Sequence, residues 1–96
     1  MLGDPQEALR ARLKQILVER LRLERSPESI GDEEPLFGPD GLGLDSIDAL
    51  ELVLGVEQEF GVQIGDEEVA SEALASISRL ATFLRESFPD LAVPVA

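Results

Sequence analysis

The sequence predicts an all-α domain, a small four-helix bundle with a long first loop and a short third helix. Three observations carry this. Apolar residues recur at helical spacing in separate stretches, among them Leu9-Leu13-Ile16-Leu17-Leu21 and Ile77-Leu80-Ala81-Leu84. Residues suited to cap a helix, Asp4, Asp45 and Ser76, stand before three of these stretches. The one alternating run, Val62-Gln63-Ile64, is too short to make a sheet.

The first helix is expected over residues 5–23. Asp4 offers the cap, Pro5 fits the first helical position, and Glu7 stands at the third. Arg10, Arg12, Lys14, Arg20 and Arg22 fall mostly on other faces than the leucines and read as a solvated side. Ser26 to Leu44 is a long connection broken by Pro27, Gly31, Pro35, Gly38, Pro39, Gly41 and Gly43. Connections this long in a small domain are usually functional or disordered. Ile30, Leu36, Phe37, Leu42 and Leu44 are apolar and are expected to pin parts of it to the core.

The second helix is expected over 46–60. Asp45 is a good N-cap and Asp48, three residues on, completes a capping pair, although Glu or Gln is the usual partner. At 100° per residue, Ala49, Leu50, Val53, Val56 and Phe60 share one broad face, assigned to the core. Asp48, Glu51, Gly55, Gln58 and Glu59 share the opposite face, and Ile47 and Leu54 fall on the border. Glu57 falls inside the apolar sector, where only its long stem offers an escape to the edge. Gly55 costs a helix about 1 kcal/mol relative to Ala. It reads either as a tolerated weak spot or as a place where a partner's surface approaches the backbone.

Gly61 and Gly65 break this helix, and a short third helix is expected over 66–74, with Asp66, Glu67 and Glu68 suiting its dipole. Ser76 caps a fourth helix over 77–88, which Pro89 ends. Residues 89–96 are expected to fray.

Composition narrows the function. The 96 residues make one domain, residues 1–96, and a chain this size buries only about 60–65% of its unfolded surface. There is no Cys, hence no disulfide framework and no thiolate metal site, and neither a metal site nor a calcium-loop spacing is expected. No apolar run is long enough to span a membrane, and the first residues lack the pattern of a signal peptide, so a cytoplasmic protein is expected, without membrane insertion and monomeric. The net charge of −12 argues against nucleic acid and anionic surfaces. Six of the eight basic residues lie between Arg10 and Arg25, whereas Ser26 to Ser78 holds fourteen acids and no base. Such a surface serves solubility or docks basic partners.

The stretch Gly41-Leu42-Gly43-Leu44-Asp45-Ser46-Ile47-Asp48-Ala49-Leu50-Glu51-Leu52 organises the rest. It resembles the attachment site of acyl carrier proteins, whose motif is Asp-Ser-Leu, here Asp45-Ser46-Ile47. The likeness runs from Leu36 to Ile64 and includes Leu42, Leu44, Glu51, Leu52, Val53, Glu59 and Phe60. It implies a phosphopantetheine arm joined to the Ser46 hydroxyl by a phosphodiester, and hence a phosphoprotein. It further implies a carrier of acyl thioesters for fatty-acid biosynthesis or another branch of lipid or polyketide metabolism, with Asp45 and Ile47 beside the attachment point. Its partners would be a phosphopantetheinyl transferase and the acyl-transferring and chain-elongating enzymes, with basic patches docking on the second helix. Asp48, Glu51, Leu54, Gly55 and Glu59 are the docking residues expected there, with Ile47 as a further apolar contact. Gly65 stands where many members have Pro, and the segment from Ala70 to Ala75 runs slightly longer than usual.

No catalytic residue is expected. The chain has no His and no Cys, and the titratable neighbours of Ser46 are carboxylates with no orienting partner. The chain reads as a substrate of enzymes and not as one itself. The alternative is an acidic helical interaction module without an arm.

Overall fold

The computed structural model describes residues 5–38, 41–64 and 72–91. Among them it is all-helical, with three α-helices: α1 (Pro5–Leu21), α2 (Ser46–Phe60) and α3 (Ile77–Ser87). A single 3-10 turn, Pro27–Ser29, lies in the connection between α1 and α2. The short helix expected over 66–74 falls largely on residues 65–71, outside the described residues, and so does the proposed cap Asp4. Three of the four expected helices thus lie among the described residues, and α3 is the helix expected over 77–88.

The helices bury one stripe each. Leu9, Leu13, Ile16 and Leu17 of α1 meet Leu52 and Val56 of α2 and Ile77, Leu80, Ala81 and Leu84 of α3 in one aliphatic core. α1 ends at Leu21, two residues earlier than expected. Arg22 takes a left-handed conformation (φ 52°), and Leu23 N donates to Val18 O at 3.1 Å. The same closure ends α2, with Gly61 (φ 65°) in the left-handed position and Val62 N donating to Glu57 O at 3.2 Å. Ser76 caps α3 by accepting from Arg79 N at 3.1 Å.

The long connection is pinned as expected. Ile30, Leu36 and Leu44 are buried, and Phe37 and Leu42 pack against the core. It is also tied by its backbone to the approach of α3: Leu36 N donates to Ala75 O (3.1 Å), and Ser78 N donates to Asp32 O (2.9 Å). The Asp32 side chain reaches the other way, to Lys14 Nζ at 2.6 Å and Arg10 Nε at 3.1 Å on α1. Lys14, and after it Arg10, hold the Asp32 carboxyl below the usual carboxylate range.

The solvated side expected for α1 is therefore an interface instead. Arg10 and Lys14 serve the connection, Arg12 and Arg20 serve α2, and Arg25 just beyond the helix grips Glu34 in a two-pronged pair at 2.7 and 3.0 Å. The sequence shows where charges are but not which acids the fold brings opposite them. The tail also departs from expectation. Leu91 is buried and its carbonyl accepts from Arg85 Nη1 at 3.1 Å, so the chain is held down through residue 91, and residues 92–96 lie outside the described residues.

Glu34 gives a pH signature. Arg25, followed by the Gly31 amide, holds its carboxyl down at about 2. A depressed folded-state value stabilises the fold above the unfolded value and loses that contribution as pH falls through the folded one. Replacing Glu34 with Gln is expected to lower the melting temperature by a few degrees at neutral pH, since the pair is half-exposed and solvent weakens it. The gap between the two proteins should close as pH is lowered from the ordinary Glu range toward 2, read by thermal melts across that window. A gap that is constant with pH would assign the effect to shape and not to charge.

Candidate functional site

The site is the start of α2, and the connection builds it. Two pieces of the connection lie side by side, with Leu42 N donating to Pro35 O and Leu44 N to Leu36 O, both at 3.1 Å. Phe37 and Leu44 form an isolated parallel bridge. Gly41 makes the approach possible, because a Cβ on it would stand 1.8 Å from Pro35 O. Gly43 then turns the chain in a left-handed conformation (φ 72°), and buried Leu44 anchors the last residue before the cap.

Asp45 is extended and caps the helix. Its Oδ1 accepts from Asp48 N at 2.9 Å, and Asp48 Oδ2 accepts from Asp45 N at 3.1 Å, so both halves of a capping box are present with Asp in the place of Glu. Ser46 follows as the first helical residue and is exposed. The two carboxylates beside it are committed to backbone amides, so neither is placed as a base toward the Ser46 hydroxyl. What the geometry offers is a hydroxyl held in the open on a rigid helix start, fit to receive a group from another protein's active site. A phosphodiester there would sit at the positive end of the α2 dipole, a setting that suits an anion. The residues present thus fit a phosphopantetheinyl group.

Along α2 beyond Ser46 stand three apolar side chains in the open: Ile47 (71% exposed), Leu50 (56%) and Leu54 (38%). Leu50 was expected in the core. The buried residues of α2 are Leu52, Gly55 and Val56, so the helix is turned by roughly a quarter turn from the expected setting. Apolar residues cover more than half of the circumference of α2, so the sequence does not mark which part of that arc is the core face. Glu57 has its own explanation: its Oε2 accepts from Ile64 N at 2.7 Å and fastens the segment that follows the helix.

The turn of the helix separates the expected docking residues. Ile47 and Leu54 are exposed and Asp48 and Glu51 half-exposed. Gly55 and Glu59 are not on the outward face; both point to α1. A Cβ on Gly55 would stand 2.9 Å from Ile16 Cγ2 and 3.0 Å from Arg20 Cγ, so the glycine admits another helix of the same chain, not a partner. Glu59 accepts from Arg12 Nε at 2.6 Å. That bond holds the Glu59 carboxyl low and raises the Arg12 guanidinium. Arg12 and Arg20 were missed as neighbours of the site. A signal was present: Arg12, Ile16 and Arg20 are spaced by four, as are Glu51, Gly55 and Glu59, and the two antiparallel helices pair them in opposite order.

Comparison with known proteins adds to this geometry. Residues 11–84 match the family described as "Phosphopantetheine attachment site". Proteins named acyl carrier protein from Bradyrhizobium sp. (strain ORS 278), Rhodopseudomonas palustris (strain TIE-1) and Nitrobacter hamburgensis are each 38% identical over 76 residues, covering 79% of this chain and 89% of theirs.

Proposed function

This chain belongs to the acyl carrier protein family, and on that premise we propose that Ser46 is the serine that takes its phosphopantetheine arm. The protein is an acyl carrier and not an enzyme, and its cofactor is covalent phosphopantetheine on a serine. Bound there, the arm supplies the thiol, and so the thioester, that a chain without Cys lacks. The protein's own residues do the rest: Asp45 and Asp48 fix the helix start, Gly41 and Leu44 fix its approach, and Ser46 Oγ accepts the transferred group.

The observation that carries the assignment is the exposed Ser46 hydroxyl at the boxed start of α2, inside the matched residues. Two other serines are placed otherwise. Ser76 is buried in its cap, and the Ser29 hydroxyl donates to Ser26 O. The family works with transferases and synthases. The face those enzymes engage is read here as Ile47, Leu50 and Leu54 with Asp48 and Glu51 alongside, in a cytoplasmic setting and in synthesis of the fatty-acid or polyketide type.

Incubation with coenzyme A and a phosphopantetheinyl transferase of broad specificity tests the assignment. Intact mass is expected to rise by one phosphopantetheinyl group, mapped by peptide digestion to Ser46. A chain that takes no group would be a bare acidic interaction module.

A further inference from the structure

We propose that Asp32 guards Lys14, the one lysine of the chain, against acylation by the thioesters the protein carries. The proposal rests on the acyl carrier reading, and composition and geometry both lead to it. A thioester on an arm joined to the chain stands at high effective concentration around every nucleophile of that chain. Side chains that readily take an acyl group from a thioester are nearly absent here. There is no Cys, no His and no Tyr, and of the eight basic residues seven are Arg. A guanidinium stays protonated and offers no free amine. Serine and threonine hydroxyls are weak nucleophiles without a base beside them. Lys14 is the exception.

Lys14 is also the most enclosed of the paired bases, its side chain 17% exposed. Nζ stands 2.6 Å from Asp32 Oδ1. The other carboxylate oxygen takes Arg10 Nε at 3.1 Å, and the Asp32 carbonyl accepts from Ser78 N at 2.9 Å. Asp32 thus meets Lys14 from a fixed position. Glu7 and Glu28 line the same hollow between α1 and the connection. To attack a thioester, Nζ must leave the carboxylate, give a proton to water and turn its lone pair to the carbonyl carbon. The C–N bond then forms as the C–S bond breaks. The sulfur leaves with its electron pair and takes up the proton the nitrogen sheds, so the products are an amide and a free thiol. An amide does not return the acyl group to a thiol, and the carried group would be lost.

The test uses the full chain without an arm and a free thioester, acetyl-coenzyme A, so it reads Lys14 whether or not Ser46 is the attachment point. Loading by the transferase is a separate reading, so a failed guard and a failed attachment site are told apart. Acetylation is followed at mildly basic pH by peptide mass spectrometry. Arg22→Lys supplies the reference, an amine at an exposed position of the same chain. In that variant position 22 is expected to be acetylated about two- to fivefold faster than Lys14, the range of a partly exposed pair. Asp32→Asn keeps the shape of the side chain and removes its charge, and it is expected to raise the Lys14 rate about two- to fivefold. Glu34→Gln breaks the neighbouring pair with Arg25 and leaves Lys14 its partner, so the Lys14 rate should not change. Equal rates at Lys14 and position 22 would overturn the proposal, and that comparison needs no change at Asp32. Equal rises from Asp32→Asn and Glu34→Gln would overturn it in favour of a general loosening of the connection.

Discussion

Ser46→Ala is expected to take no phosphopantetheinyl group at all while melting within a few degrees of the parent protein. The first half follows from chemistry, since removal of Oγ removes the atom on which the ester is proposed to form. The second half follows from position. Ser46 is exposed, and the cap at this helix start is made by Asp45 and Asp48 without it. Surface substitutions away from such features change stability by about 0.5 kcal/mol or less. The pair of readings, intact mass and thermal melt, separates loss of the acceptor from loss of the fold. Modification that persists in Ser46→Ala would move the attachment point to another serine.

Gly41→Ala is expected to produce the largest loss of stability of any single-methyl change in the connection. The added Cβ would lie 1.8 Å from Pro35 O and 2.5 Å from Pro35 C, both backbone atoms. A Cβ is fixed by the backbone, so no rotamer relieves the overlap. The two pieces must separate, and the bond from Leu42 N to Pro35 O goes first. A cost of about 2–4 kcal/mol is in the range of strained or broken local structure. In a domain of this size that lowers the melting temperature on the order of 10–20 °C. Loading should slow as well, because the same backbone carries Leu44 and Asp45 to the helix start. Gly31→Ala is the comparison, since a Cβ there meets Glu34 Cβ at an ordinary 3.6 Å. If both variants melt together, the close approach at Gly41 carries no weight.

The start of α2 was legible because it is written locally. Asp45 and Asp48 sit three residues apart, and a capping box needs nothing from the rest of the chain. The spans of α1 and α3 were legible to within two residues, each having apolar residues at helical spacing. The setting of α2 about its axis was not. With apolar residues over more than half of its circumference, the choice of core face within that arc falls to the neighbours, and Gly55 decides it by letting Ile16 and Arg20 approach. Leu50 then turns outward, and Glu59 turns toward Arg12. The arginines of α1 were misread as solvated for the same reason: a helix wheel treats one helix at a time. The tail was misread because its anchor, the Arg85 bond to the Leu91 carbonyl, joins residues across a turn that no periodicity marks.

The ties between the connection and the approach of α3 have a consequence in the time domain. Amides in a span without regular helix usually exchange with solvent through small independent openings. Here Leu36 N is held by Ala75, Leu44 N by Leu36, and Ser78 N by Asp32. Exposing any of these amides means lifting Ile30, Leu36 or Leu44 from the core as well. The approach to Ser46 and the first turn of α3 are therefore expected to open and close as one cooperative unit, with the Leu36, Leu44 and Ser78 amides exchanging at similar rates.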